Sequence, residues 1–436
     1  MASPHTVWGL LGTDFAACGK RLARCERHRR QQESAVDTFY LGRQPILDRE
    51  YKTIAYGLVF HEWDAATDEK IATEKSARLL VHGLMDIGLS QISNNLPVYV
   101  PVTRELLVRG AVSEFPPELL GVSIPADLQV DDEILAVCAS LRQQGYPILI
   151  KGAVDTAAYA ELLKVASAVK LDMGVPDLSS TVKRIRPHIA GLIAGRVETH
   201  DDFEQAMAIG FTGFQGFFFC RPQIVEGKLL PASSLAVMQA LQQVMGAEAI
   251  SDVEGVMMRD VTLSYRLLRH INAAAFGLRS KVESVRQALG LLGLSNIRQW
   301  LSLLLLADAG KGLPAEVVRI ALQRAKMLEG IAELNQPERK SEYFLLGLFS
   351  LLDTILGISM KDALAKLCLP EAIHQGLTEP SSSYGRLLQL VKEVEHGDWG
   401  KVDNIARSAG IKCGDLMGVQ TRALHWVNEN SNLLAE

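Results

Sequence analysis

Cysteine is scarce and scattered in this chain. Cys18, Cys25, Cys138, Cys220, Cys368 and Cys413 are spread over 436 residues with no CxxC pair. That spacing argues against a disulfide framework or a structural zinc and for reduced thiols. Cys25 and His28 make one pair of candidate ligands, and no second pair stands at finger-like distance. Long apolar runs are also missing. The stretch 301–307 is broken by Ser302 and falls far short of the roughly 20 residues that span a bilayer. Residues 7–12 are apolar, but the basic residues follow them, from Lys20 to Arg30, which is the reverse of a secretory signal. The expectation is a cytoplasmic protein with no membrane segment. Net charge is small, −5, which disfavours a general electrostatic grip on nucleic acid. No glycine-rich phosphate loop follows any strand-like run, which counts against a nucleotide-binding open sheet.

What is present divides into two halves. Residues 1–36 contain KRLARCERHRRQQES, polar and basic without an apolar period, and read as a solvated, poorly ordered leader. From Thr38 the pattern alternates. Runs 98–100, 148–150, 169–171, 192–194 and 213–219 read as buried strands. Between them lie helical segments, one capped by Asp155 and carrying Leu162, Leu163 and Val165, another over 198–208. Strand–helix repeats of this kind imply parallel βα units, in an open sheet or a closed barrel, and the missing phosphate loop favours the barrel.

After Pro231 the strand signal stops. Ser251 and Glu254 stand at capping-box spacing. Leu263, Leu267 and Ile271 recur at helical spacing, as do Val285, Ala288, Leu289 and Leu292. Further helical runs cover 315–334, 343–356, 360–367 and 383–395. The fold class is therefore α/β plus all-α, with a boundary near 225–235 at the turn residues Gly227 and Pro231.

Several segments carry a family resemblance: RQPILD (43–48), YGLVFH (56–61), VKLD (169–172), RVETHDDF (196–203) and GFTGFQGFFFCRP (210–222). In this order they resemble the EAL domain of cyclic di-GMP phosphodiesterases, a TIM-like β/α barrel. RDVTLSYRLLRHINAAAFG followed by VESVRQALGLLGLSNIRQW resembles the HDOD signature, with Val261 where a proline is usual. The resemblance implies a degenerate EAL barrel over 37–228 and an HDOD domain over 231–436.

It also implies a site. Active EAL enzymes hold two divalent cations with carboxylates and one asparagine around an attacking water, because hard cations need oxygen ligands. The matching positions here are Gly57 for the glutamate of the EAL motif, Pro101 for the asparagine, Ser123 for a second glutamate, Lys151 and Gly152 for paired aspartates, and Gly195 for a further glutamate. Lys170, Asp172, Glu198 and Gln215 are retained. Lys170 and Gln215 match positions that serve nucleophile and substrate, and Glu198 matches a supporting acid. Lys170 reads equally as a functional group at the barrel's C-terminal face or as a lysine paired with Asp172 or Glu198. Glu198 reads as scaffold, and the phenylalanines around Gln215 as core.

In the helical half, GLFSLLD (347–353) puts Ser350 and Leu351 where the related HD hydrolases carry a metal-binding His–Asp dyad. His270 has no partner ligand at i+3 or i+4.

The expectation is a non-catalytic signalling protein with no metal and no cofactor. Its barrel is a sensor or homodimerisation platform, and its helical domain contacts protein partners. The grip on cyclic di-GMP is expected to be weak, because the arginine and asparagine that hold it in relatives match His61 and Pro101. The alternatives are a metal-independent cyclic di-GMP receptor and a residual phosphodiesterase. Nucleic-acid binding through Lys20–Arg30 is the weakest reading.

Overall fold

The computed structural model describes residues 39–62, 88–125, 128–153, 157–223, 232–272, 281–367 and 369–430. The leader 1–36, Asp155, and the turn at Gly227 and Pro231 lie outside them.

Eight strands close into a barrel in chain order: β1 (Phe39–Leu47), β2 (Thr53–Glu62), β3 (Val98–Pro101), β4 (Leu120–Pro125), β5 (Ile148–Lys151), β6 (Ala168–Asp172), β7 (Gly191–Gly195) and β8 (Gly213–Gln215). β1 runs antiparallel to both β2 and β8, and the remaining neighbours are parallel. The reversal of β1 comes from a tight turn. Asp48 accepts the N–H groups of Glu50 and Lys52, and Tyr51 takes φ +62°. Aspartate stabilises such turns through its own backbone.

Alternation along the strands sorts the side chains. Val98, Val100, Leu120, Val122, Ile124, Ile148, Ile150, Val169, Leu171, Leu192 and Ala194 face outward and join the main core under the surrounding helices. Ile46, Ala55, Leu149, Ala168 and Ile193 form a separate cluster inside the barrel, with Tyr99 against it. Gly121 makes room for that ring, since a Cβ there would stand 2.9 Å from Tyr99 Cδ1. Two residues further along the same inward rows come Gln44, Gly57, Lys151, Lys170, Gly195 and Gln215. The barrel interior is therefore apolar below and polar at the mouth.

Three local expectations are corrected. The run 213–219 is a strand only to Gln215. A Cβ at Gly216 would stand 2.0 Å from the Val197 carbonyl oxygen, so the chain turns there and continues as a 3-10 turn, Phe218–Cys220. The helix expected at 343–356 is interrupted: Lys340–Leu348 passes into a 3-10 turn, Phe349–Leu351, before Leu352–Leu356. Ser251 and Glu254 do not form a capping box. Asp252 accepts the N–H groups of Glu248 and Ala249 instead, and Glu254 pairs with Arg286.

The other half is helical. Val285–Ala309 is long and apolar enough, by length and composition, to cross a membrane. It breaks at Gly293, whose φ is +74°, and buries Leu289, Leu292, Ile297, Leu301 and Leu305. At the centre lies Ala315–Asn335. Its backbone meets Lys340–Leu348 so closely that a Cβ at Gly347 would stand 2.4 Å from Ala325 N.

The two halves meet along the β1–β2 hairpin. Arg43, buried, donates to the Ile92 carbonyl (2.6 Å) and to Gln323 Oε1 (3.1 Å), and its guanidinium lies 4.5 Å over the Tyr56 ring. Tyr56 donates to Glu316 Oε2 at 2.9 Å, and Gln420 to the Leu41 carbonyl at 2.5 Å. Burying such groups is favourable only when each finds a partner, and these do.

Candidate functional site

The C-terminal ends of the parallel strands form the mouth, the face on which barrel sites are built. Lys151 of β5 is the register partner of both Pro125 of β4 and Lys170 of β6, so two ammonium groups share one interior level. On β6 and β7, Asp172 pairs in register with Gly195, and the next residue, Arg196, meets Asp172 at 3.2 Å from the exposed rim. Pro101 and Ser123 are register partners on β3 and β4. Ser123 is buried in the interior, and its Oγ has no hydrogen-bond partner.

Lys170 pairs with neither of its expected acids. Its Nζ donates to Gln215 Oε1 at 2.9 Å, while Asp172 is engaged by Arg196. The inward rows of β6 and β8 bring Lys170 and Gln215 together. Glu198 lies just before the helix His200–Ile209, and its main-chain N–H is held by Asp202. Burial, then the neighbouring Lys151 charge, lower the Lys170 pKa to about 8, with Asp172 acting in the opposite sense. Burial also lowers Lys151, again opposed by Asp172. Both shifts follow from taking ammonium groups out of water and setting like charges side by side.

At two of the positions where relatives carry acids, neighbours fill the space. A Cβ on Gly57 would stand 2.5 Å from Gln215 Nε2, and one on Gly195 would stand 2.3 Å from Asp172 Oδ1. Gly152, at φ +97°, donates its N–H to the Lys170 carbonyl and accepts the Tyr159 hydroxyl on its own carbonyl. The divalent cations that the resemblance implies do not fit this set. Among the described residues no group of three or more His, Cys, Asp or Glu side chains stands ready for a metal; Asp172 is already paired with Arg196, and two ammonium groups share the level where cations would sit.

In the helical half, Ser350 accepts Arg324 Nη1 at 3.2 Å, and Leu351 is buried. His270 stacks on Trp300 with centroids 5.9 Å apart, and burial lowers its pKa. A cavity of about 710 Å³ lies on the barrel's flank beside the β1–β2 turn. It is lined by Tyr51, Tyr56, Glu316 and Arg319 among others. Its polar groups bind one another: Tyr56 and Arg319 reach Glu316, and Arg319 reaches Asn428.

Two residues of the mouth were not singled out from sequence. Gln44 accepts Gln215 Nε2 at 3.1 Å and donates to the His396 carbonyl at 3.0 Å. His396 ends the helix Ser383–His396 of the other half, and its ring lies 4.3 Å from that of Phe217. Gln44 stands inside the RQPILD motif, but nothing local links it to a residue 352 positions away.

Residues 229–380 match the HDOD domain. Across 411 residues, 92% of this chain and 95% of the relative, the chain is 28% identical to a Vibrio cholerae protein named cyclic di-GMP phosphodiesterase CdgJ. The chain is a closed eight-stranded barrel followed by a helical half that carries the HDOD match. Over 373 residues, 83% of this chain and 91% of the other, it is also 28% identical to the uncharacterized protein YuxH of Bacillus subtilis. Among solved structures, the phosphodiesterase PaMucR in complex with c-di-GMP covers 45% of this chain and 99% of its own at 19% identity and a TM-score of 0.35. The EAL-like domain protein YdiV covers 41% and 91% at 16% identity and a TM-score of 0.30.

These comparisons correct one expectation from sequence. The non-enzyme assignment does not stand, because a relative aligned over nearly the whole of this chain is named a phosphodiesterase. The poor fit of the mouth to metal is a property of the residues there, and absence of catalysis does not follow from it.

Proposed function

We propose that this EAL–HDOD protein works in cyclic di-GMP signalling, with the barrel mouth as the seat for the dinucleotide and the helical half as the output read by partner proteins. The observation that carries this is the pair Lys151 and Lys170, adjacent on β5 and β6, with Arg196 at the rim and Asp172 the acid between them. Around Asp172 these three cations leave positive charge in local excess. A cyclic dinucleotide brings two phosphodiester anions, one charge each. The orphaned Ser123 Oγ offers a further hydrogen-bonding group in the interior. The relative's name supports the choice of nucleotide, and contacts of Gln44 and Leu41 with the helical half support the output role.

Calorimetry of the full chain with cyclic di-GMP at pH 7, without divalent metal, tests the seat. Binding is expected with the unmodified chain, and Lys170→Ala weakens it by about tenfold or more, the scale of one lost charged hydrogen bond. No heat from the unmodified chain at tens of micromolar would refute the seat. Chromatography of parallel samples with Mg²⁺ or Mn²⁺ reads hydrolysis, the reaction in the Vibrio relative's name.

A further inference from the structure

The helical half reaches over the mouth on the side of β1 and β2. A Cβ at Gly42 would stand 3.2 Å from the Val394 carbonyl oxygen and 3.3 Å from the Trp399 ring, and one at Gly397 would stand 3.0 Å from Val59. Glycine at these places allows the turn between the helices Ser383–His396 and Trp399–Ser408 to close on the barrel rim. The tilted contact of the His396 ring with Phe217 holds the turn from the β8 side.

Beneath this turn runs a continuous hydrogen-bond chain. Lys170 Nζ donates to Gln215 Oε1, Gln215 Nε2 to Gln44 Oε1, and Gln44 Nε2 to the His396 carbonyl, at 2.9, 3.1 and 3.0 Å. Its ends set its direction. An ammonium can only donate and a carbonyl can only accept, so neither glutamine amide can flip without losing its bonds. Gly57 holds open the space that Gln215 Nε2 occupies. Glu395, the residue before His396, is locked to Arg324 of the helix Ala315–Asn335, with both side chains 4% exposed. A shift of the helix end is thereby felt in the middle of the helical half.

We infer that the turn ending Ser383–His396 is a wall of the barrel's ligand site, and that the chain Lys170–Gln215–Gln44–His396 couples occupancy of the mouth to the seating of that helix. This rests on the reading of the mouth as an anion seat. An anion that draws the Lys170 ammonium toward itself pulls Nζ away from Gln215 Oε1, and the two amides then lose the constraint that holds the His396 carbonyl. The coupling is one free energy shared by two sites, so helix seating alters anion affinity in return.

The test is hydrogen exchange on the full chain, read at residues 390–399. Lys170→Met, which removes the donor without touching the helical half, is expected to speed exchange there by about three- to tenfold, the scale of one ordinary hydrogen bond. Gln44→Leu, which cuts the chain in the middle, is expected to do the same and is the second variant should the first fail to fold. Unchanged exchange at 390–399 in either folded variant overturns the coupling. Adding cyclic di-GMP to the unmodified chain is expected to change exchange in the same residues, and a ligand effect that persists in Gln44→Leu also overturns it. Failure of the seat shows separately, as absence of heat in calorimetry, while the variant measurements need no ligand.

Discussion

Replacing Glu395 with leucine removes one side of a buried ion pair. Arg324 Nε donates to both carboxylate oxygens at 2.9 and 3.1 Å, and Nη2 donates to one of them at 2.7 Å. Both side chains are 4% exposed, so water does not replace the lost partner. After the substitution the guanidinium keeps Ser350 Oγ, at 3.2 Å, as its hydrogen-bond partner in this cluster. Lys392 lies close enough that burial, then Arg324, lower its pKa while Glu395 and Asp353 support its charge. Loss of Glu395 therefore leaves two cations facing Asp353 alone, whose own pKa burial raises. Breaking a buried pair in this way costs about 3–5 kcal/mol, a large part of a stability of roughly 5–15 kcal/mol. For a helical unit of this size the transition should fall by roughly 6–20 °C. The double variant Arg324→Met/Glu395→Leu removes the orphaned charge and should recover most of the loss. Differential scanning calorimetry of the full chain and both variants is the assay. A single variant within about 1 kcal/mol of the unmodified protein, or a double variant no more stable than the single, would show the electrostatic reasoning to be wrong.

Tyr56→Phe removes the hydroxyl that Glu316 accepts across the interface between the halves, and should cost about 1–3 kcal/mol in chemical denaturation. Gly195→Glu restores an acid but sets a Cβ against Asp172 Oδ1, the end of a side chain that can turn aside, so the cost is the displaced Asp172–Arg196 pair, under about 1 kcal/mol, and Gly195→Glu/Asp172→Ala should cost no more. Anion binding at the mouth should depend on pH with a definite sign. The anion favours protonated Lys170, whose pKa in the free protein is about 8, so affinity is flat at lower pH and falls above 8 by up to about tenfold per unit. Lys170→Arg stays charged and should remove that fall; a persistent fall in calorimetry would assign it to another group.

The barrel was legible because short apolar runs are local: those at 98–100, 148–150, 169–171 and 192–194 mark β3, β5, β6 and β7, while β4 was not among the runs read as strands. Gly57, Pro101, Ser123, Lys151, Gly152 and Gly195 each stand in a strand or at its end; that they replace acids and an asparagine is what the family resemblance implies, and no pattern within the chain says so. Where local signals compete, reading by pattern failed. Gly216 ends β8 inside an aromatic run that looks like strand, because the Val197 carbonyl, two residues past the end of neighbouring β7, leaves no room for a side chain. Asp252 won the cap from Ser251 by reaching back to two N–H groups at once.

The sequence by itself determined that the chain is a barrel followed by helices and that basic and small residues occupy the mouth. Those properties follow from backbone periodicity and residue identity, which need no knowledge of distant contacts. Only the tertiary structure decided what Lys170 touches, that Gln44 and His396 complete the same hydrogen-bond chain, and that the helical half closes one side of the mouth. Partners 45, 171 and 352 residues apart meet because the barrel closes and the helices pack on β1, and no local spacing encodes that meeting.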